Sequence, residues 1–132
     1  MRILIDTNRY RDFCAGVTDV VERIRTAEQI CISFVTIAEL RAGFLAGTEG
    51  GRNARILAMF LNRARVRILW PDEDTTHHYA LIWLQLRRQG TPIPTNDLWI
   101  AASTMEHGAV LLTADAHFEK IPQILVRRLA PA

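Results

Sequence analysis

Lysine is almost missing from this chain: Lys120 stands alone, and fifteen of the sixteen basic residues are arginine. A covalent phosphatase wants a phosphate-binding lysine, for which Lys120 is poorly placed, and a signalling receiver domain would use a lysine with an acid cluster but would not need Glu39 and Asp97 together. Arginine forks phosphate with two hydrogen bonds, which suits a nucleic-acid surface, although arginine-rich codon usage produces the same bias. Long apolar runs are missing too, and the longest fall far below the roughly 20 residues of a membrane span. Asp6 and Arg9 interrupt any secretory leader pattern at the start, so the expectation is a cytoplasmic protein without membrane attachment. Cysteine is confined to Cys14 and Cys31, which lack metal-ligand spacing, and both read as reduced core thiols. Repeats and low-complexity stretches are absent as well. The net charge of +2 argues neither for nor against a polyanionic partner.

What is present is an ordinary globular composition, 49% apolar and 23% charged over 132 residues. That length predicts a single domain spanning residues 1–132 that buries roughly two thirds of its unfolded surface. The chain opens with Arg2-Ile3-Leu4-Ile5-Asp6-Thr7-Asn8. An apolar run without alternation suits a strand buried on both faces, as in a parallel sheet. Asp6 sits where that strand stops. Open α/β sheets bind ligands beyond the carboxyl ends of their strands, so this carboxylate is placed for chemistry, or else caps the next helix.

Further strands are expected at 29–33, 66–70, 109–113 and 124–126, and helices at 8–14, 19–27, 35–46, 52–64, 72–89 and 95–107. Gly47, Gly50 and Gly51 mark a turn between the third and fourth helices, which follow one another as an αα-hairpin. Thr95 is the expected N-cap of the last helix. Strands alternating with helices imply right-handed crossovers. The predicted fold is therefore α/β, a three-layer α/β/α sandwich on a mainly parallel five-stranded sheet.

Four carboxylates then fall near one edge of that sheet. Asp6 follows the first strand, Asp115 follows the fourth, and Glu39 lies in the first turns after the second. Asp97 opens the last helix and reaches that edge only if the preceding helix runs back toward it. Each has a structural explanation: Glu39 completes a Thr36-x-x-Glu39 capping box, Asp97 is a favourable first-turn charge, and Asp115 suits a turn. Together they read differently. Carboxylates packed within about 5 Å raise one another's pKa and call for a cation. Oxygen donors of this kind fit Mg²⁺ or Mn²⁺, which keep bound waters and suit phosphate chemistry.

Ile5-Asp6-Thr7-Asn8, Ser33-x-Val35-Thr36-x-x-Glu39-Leu40-x-x-Gly43, Asn96-Asp97-x-x-Ile100-Ala101-Ala102 and Leu112-Thr113-x-Asp115-x-x-Phe118 follow in an order that covers essentially the whole chain. In this the chain resembles the PIN-domain nucleases, and more narrowly the VapC-type toxins of bacterial toxin–antitoxin pairs. The resemblance implies that Asp6, Glu39, Asp97 and Asp115 form an acidic metal site, with Asn8 and Thr113 orienting carboxylates or waters. It implies a Mg²⁺- or Mn²⁺-dependent endoribonuclease whose metal-activated water cuts RNA, leaving 5′-phosphate and 3′-hydroxyl ends. It also implies a cognate antitoxin and a homodimer. Where such chains continue with aliphatic residues after Asn8, this one has Arg9, Tyr10 and Arg11. Arg9 is expected in solvent, with an ion pair or a phosphate contact as alternatives, and His117 is expected at the surface, with a general acid as the alternative.

Met59, Phe60 and Leu61 cannot all face one core, so a partner is expected on the αα-hairpin, unless that helix is buried between two others. A phosphatase with Asp6 as nucleophile is disfavoured because its usual second aspartate is here Asn8. A pure interaction domain explains the hairpin but not the acids. A housekeeping RNA-processing nuclease of the same fold is the remaining alternative.

Overall fold

In a computed structural model of the chain, which describes residues 1–129, the opening apolar run becomes strand β1 (Arg2–Ile5). Ile3, Leu4 and Ile5 are all buried: Ile3 and Ile5 face one core, and Leu4 the other. Burial on both faces is the physical reason the run does not alternate. Strands β2 (Gln29–Ser33), β3 (Val66–Leu69), β4 (Val110–Thr113) and β5 (Leu125–Arg128) complete the sheet. Its order is β3-β2-β1-β4-β5, and every pairing is parallel.

Helices α1 (Thr7–Cys14), α2 (Thr18–Thr26), α3 (Phe34–Ala46) and α4 (Gly50–Leu61) supply Tyr10, Ile24, Leu40, Leu57 and Phe60 to the core on one face. Helices α5 (Glu73–Gln89) and α6 (Thr95–His107) cover the other with Ile82, Leu86, Leu98 and Ala101. The result is the expected three-layer sandwich. Tyr10 meets Phe60 edge-on at 5.3 Å between ring centroids, which locks α1 onto α4. No helix among the described residues is long and apolar enough to cross a membrane.

The strand order explains where a site can form. From β1 the chain steps outward through β2 and β3, then returns to add β4 and β5 on the opposite side. Where the order reverses, the loops leaving β1 and β4 diverge and open a crevice at the carboxyl edge. Ile5 pairs with Ile32 and with Leu112, so β1, β2 and β4 end at one level there.

Several local expectations are corrected. Gly50 and Gly51 belong to the first turn of α4 rather than to the turn before it. A Cβ on Gly50 would sit 2.6 Å from the Phe44 carbonyl oxygen, so only glycine lets α4 start this close to α3. Pro94, not Thr95, occupies the N-cap of α6, with no side-chain cap bond. Cys14 is exposed at the end of α1, and only Cys31 is a core thiol. β5 begins one residue later than expected and runs to Arg128, and a 3₁₀ turn at Ala116–Lys120 was not foreseen.

Candidate metal centre

Asp6 ends β1 and caps α1 at the same time. One carboxylate oxygen accepts the Arg9 backbone N–H at 2.8 Å, and the other accepts the Thr113 hydroxyl at 2.6 Å. The cap and ligand readings of this residue are therefore compatible, since each oxygen keeps a further lone pair. Thr113, the last residue of β4, is fully buried and also accepts the Asp115 N–H at 3.0 Å. A single hydroxyl thus ties the ends of β1 and β4 together across the switch point.

Glu39 reaches the same crevice from α3, but not as half of a capping box. Ser33 caps α3, and Glu39 accepts the Thr7 hydroxyl at 2.7 Å, while the buried Thr36 hydroxyl finds no partner among the described residues. The helix begins one turn earlier than the Thr36-x-x-Glu39 pattern implied, which frees Glu39 to turn outward. Asp97 also arrives, because α5 runs back to the carboxyl edge before Thr91 to Pro94 cross to α6. Asp6, Glu39, Asp97 and Asp115 line one cavity of about 390 Å³ together with Thr7, Asn8 and Arg9.

At the edge of that cavity the closest gathering differs from the four acids. One ligand atom from each of Asp97, Asp115 and His117 lies within 4.8 Å of the others. Asp6 and Glu39 stand around the same space without joining that group. His117, expected at the surface, is half-buried, with Nδ1 3.3 Å from Asp115 and 3.5 Å from Asp97. Asn8 is exposed at the rim, and the hydroxyl that bonds an acid belongs to its neighbour Thr7.

Burial dominates the electrostatics of the acids at the site. Burial raises the pKa of Asp6, and the charge of Asp115 adds to this against the hydrogen bonds from Thr113 and Arg9. Burial also raises the pKa of Asp97, with Asp115 and Glu39 adding to it and His117 opposing. Desolvated carboxylates that push one another's pKa upward, all with oxygen donors, fit a hard divalent cation.

Arg9 is not in solvent. It is 4% exposed, pairs with Asp12 at 2.8 Å, and leaves Nε and Nη1 without a partner among the described residues. The guanidinium beside Asp6 only partly offsets the burial-driven rise in the acid's pKa, and this departure from the aliphatic pattern supplies fixed positive charge beside the cavity.

A second acidic group, Asp72, Asp74 and Glu106, lies where α5 begins. Its members are tied into the helix start. Asp72 caps α5 in a reciprocal pair with Thr75, whose hydroxyl also donates to Glu106 at 2.7 Å. The backbone N–H of Thr75 holds the Asp72 carboxyl below its ordinary range.

The geometry agrees with what the chain is similar to. Residues 3–124 match the PIN domain family model. The chain is 33% identical over 111 residues to ribonuclease VapC1 of Haemophilus influenzae strain R2866, covering 82% of this chain and 80% of that protein. It is 31% identical over 133 residues to the tRNA(fMet)-specific endonuclease VapC of Salmonella typhimurium, covering 96% of each. The crystal structure of DNA-bound VapBC from Salmonella typhimurium superposes with a TM-score of 0.86 at 27% identity, over 97% of this chain and 98% of that one. A parallel sheet reversing at β1, acids gathered at the reversal and these likenesses agree, and the chain belongs to the PIN-domain family and, within it, to the VapC group.

Proposed function

We propose that this chain is a Mg²⁺- or Mn²⁺-dependent endoribonuclease of the cytoplasm, acting as the toxin of a toxin–antitoxin pair. The observation that carries the reading is the convergence of Asp97 and Asp115 with Asp6 and Glu39 around one cavity at the topological switch point. Asp97 and Asp115 would hold the ion most directly, with Asp6 and Glu39 placed to orient its water or the RNA phosphate. A bound divalent ion supplies a more acidic water and neutralises charge developing on the phosphate. The protein does the rest by position. Thr113 fixes the Asp6 carboxylate, Thr7 fixes Glu39, and the buried Arg9 charge limits repulsion within the cluster.

Partner binding is part of the same proposal. The α3–α4 hairpin exposes Leu45, Ile56 and Met59, while Phe60 turns into the core. A groove of about 370 Å³ runs along it beside Arg41, Phe44 and Gly51. Apolar side chains this exposed at a concave surface suit an antitoxin segment. A homodimer would use another face, for which Leu81, Trp83 and Leu84 of α5 are exposed and apolar.

The test is cleavage of RNA by the purified chain. With Mg²⁺ or Mn²⁺ it should cut RNA to fragments with 5′-phosphate ends. Chelation, Asp6→Ala or Asp97→Ala should each abolish this. Unimpaired cleavage by both variants would remove the proposed site.

A further inference from the structure

We propose that His117 is a nitrogen ligand of the ion held by Asp97 and Asp115, so that the centre is an oxygen–oxygen–nitrogen site favouring Mn²⁺ over Mg²⁺. This rests on the reading of the cavity as a metal-dependent nuclease site and deepens it. The position of the residue comes from the backbone. Asp115 caps the 3₁₀ turn Ala116–Lys120 and accepts the His117 backbone N–H at 2.9 Å. Phe118, 1% exposed, anchors the turn in the core, which sets the imidazole beside Asp97 and Asp115 at the edge of the cavity they line.

One imidazole nitrogen faces two carboxylates at once, at distances slightly long both for a hydrogen bond and for the edge of an octahedral shell. Nδ1 lies 3.3 Å from Asp115 Oδ1 and 3.5 Å from Asp97 Oδ2. Good N–H···O bonds fall at about 2.7–3.2 Å. Adjacent ligands of an octahedral ion with bonds of about 2.1 Å stand roughly 3 Å apart, a little inside the observed spacing. Small movements of a half-exposed imidazole would close the shell.

The other donors point the same way. Both oxygens of Asp6 already accept hydrogen bonds, and one oxygen of Glu39 accepts from Thr7. Asp115 likewise commits Oδ1 to the His117 N–H, whereas among the described residues the Asp97 carboxylate meets only His117, so Asp97 offers the most uncommitted carboxylate capacity at the site. Mg²⁺ prefers a shell of oxygen, whereas an imidazole nitrogen raises affinity for first-row transition ions. A site with one nitrogen should thus separate Mn²⁺ from Mg²⁺, which four carboxylates would do less well.

The experiment uses the full chain loaded with Mn²⁺, and electron spin-echo envelope modulation reads the ligands directly. The expected result is ¹⁴N modulation from a coordinated imidazole, lost in His117→Ala and in His117→Gln. Calorimetric titration should show both variants binding Mn²⁺ about tenfold more weakly, with a smaller change for Mg²⁺. Circular dichroism should show both variants folded, as expected for a half-exposed side chain. Absence of ¹⁴N modulation in the parent, or its persistence in both variants, would overturn the proposal. Asp97→Asn separates the two levels: it should weaken binding of both ions. Unchanged binding in that variant would instead remove the acidic site itself.

Discussion

Among the described residues, two clusters of three side chains each bring ligand atoms within 4.8 Å of one another, and their surroundings assign them opposite jobs. Asp97, Asp115 and His117 converge from a helix start and a post-strand turn, and the two aspartates line a cavity. Asp72, Asp74 and Glu106 meet at the exposed start of α5. In the second group the helix itself satisfies the charge: the Thr75 N–H and hydroxyl engage Asp72, and the Asp72 pKa falls. In the first group burial dominates, and the pKa of Asp97 rises. Proximity of acids therefore says little by itself. A cluster paired with backbone N–H groups is a helix cap, whereas a desolvated cluster facing a cavity has a use for a cation.

The largest expected difference between them is catalytic. Asp97→Ala should lower RNA cleavage about a thousandfold or more, since metal stabilisation contributes several kcal/mol to the transition state. Asp74→Ala should leave the rate unchanged. Equal losses in the two variants, measured by single-turnover cleavage, would erase the distinction.

The paired threonines give the next contrast. Thr113→Val removes the hydroxyl that holds Asp6 and should reduce activity roughly 10–100-fold while the chain stays folded. Thr75→Val should leave activity intact and cost stability, on the order of 1–3 kcal/mol, because it strips bonds from Asp72 and Glu106. Cleavage rates and denaturant midpoints separate the two outcomes.

Stability against pH should also divide them, with opposite signs. Asp6 and Asp97 have raised folded pKa values, so their contribution is full below the ordinary carboxylate value of about 3.9 and is lost as pH rises through the folded values. Asp72 has a lowered pKa, so its contribution is present above that value and lost as pH falls through the folded one. In EDTA at pH 7, Asp97→Asn should therefore melt above the parent. Asp72→Ala should melt below it. Added Mn²⁺ should raise the parent and not Asp97→Asn. A parent already more stable than Asp97→Asn without metal would contradict the assigned burial cost.

Much of this was legible in the sequence, where one residue dictates one local outcome. The unalternating Ile3-Leu4-Ile5 run announced a strand buried on both faces, and the αα-hairpin followed from two apolar stripes with no strand between them. Asp6 was readable because it directly follows a strand of a parallel sheet, and Asp115 because it comes two residues after one. Other features depended on tertiary context. Thr36 and Glu39 have the spacing of a capping box, but Ser33 starts the helix earlier and leaves Glu39 to Thr7. Arg9 looked like a solvent residue, because nothing local indicates that Asp12 and the closing of α1 onto the sheet will bury it. His117 was passed over for a similar reason. Its partner Asp97 is twenty positions away, and the 3₁₀ turn that aims it was not foreseen. The spacing of His117 between Asp115 and the anchoring Phe118 was the available signal.

The most direct measurement is calorimetric titration of Mn²⁺ into the parent chain, Asp97→Asn and a double Asp72→Asn, Asp74→Asn variant. Saturable binding in the parent, kept in the double variant and lost in Asp97→Asn, is the predicted result. Binding lost in the double variant and kept in Asp97→Asn would place the ion at the helix start and contradict the assignment of the cavity.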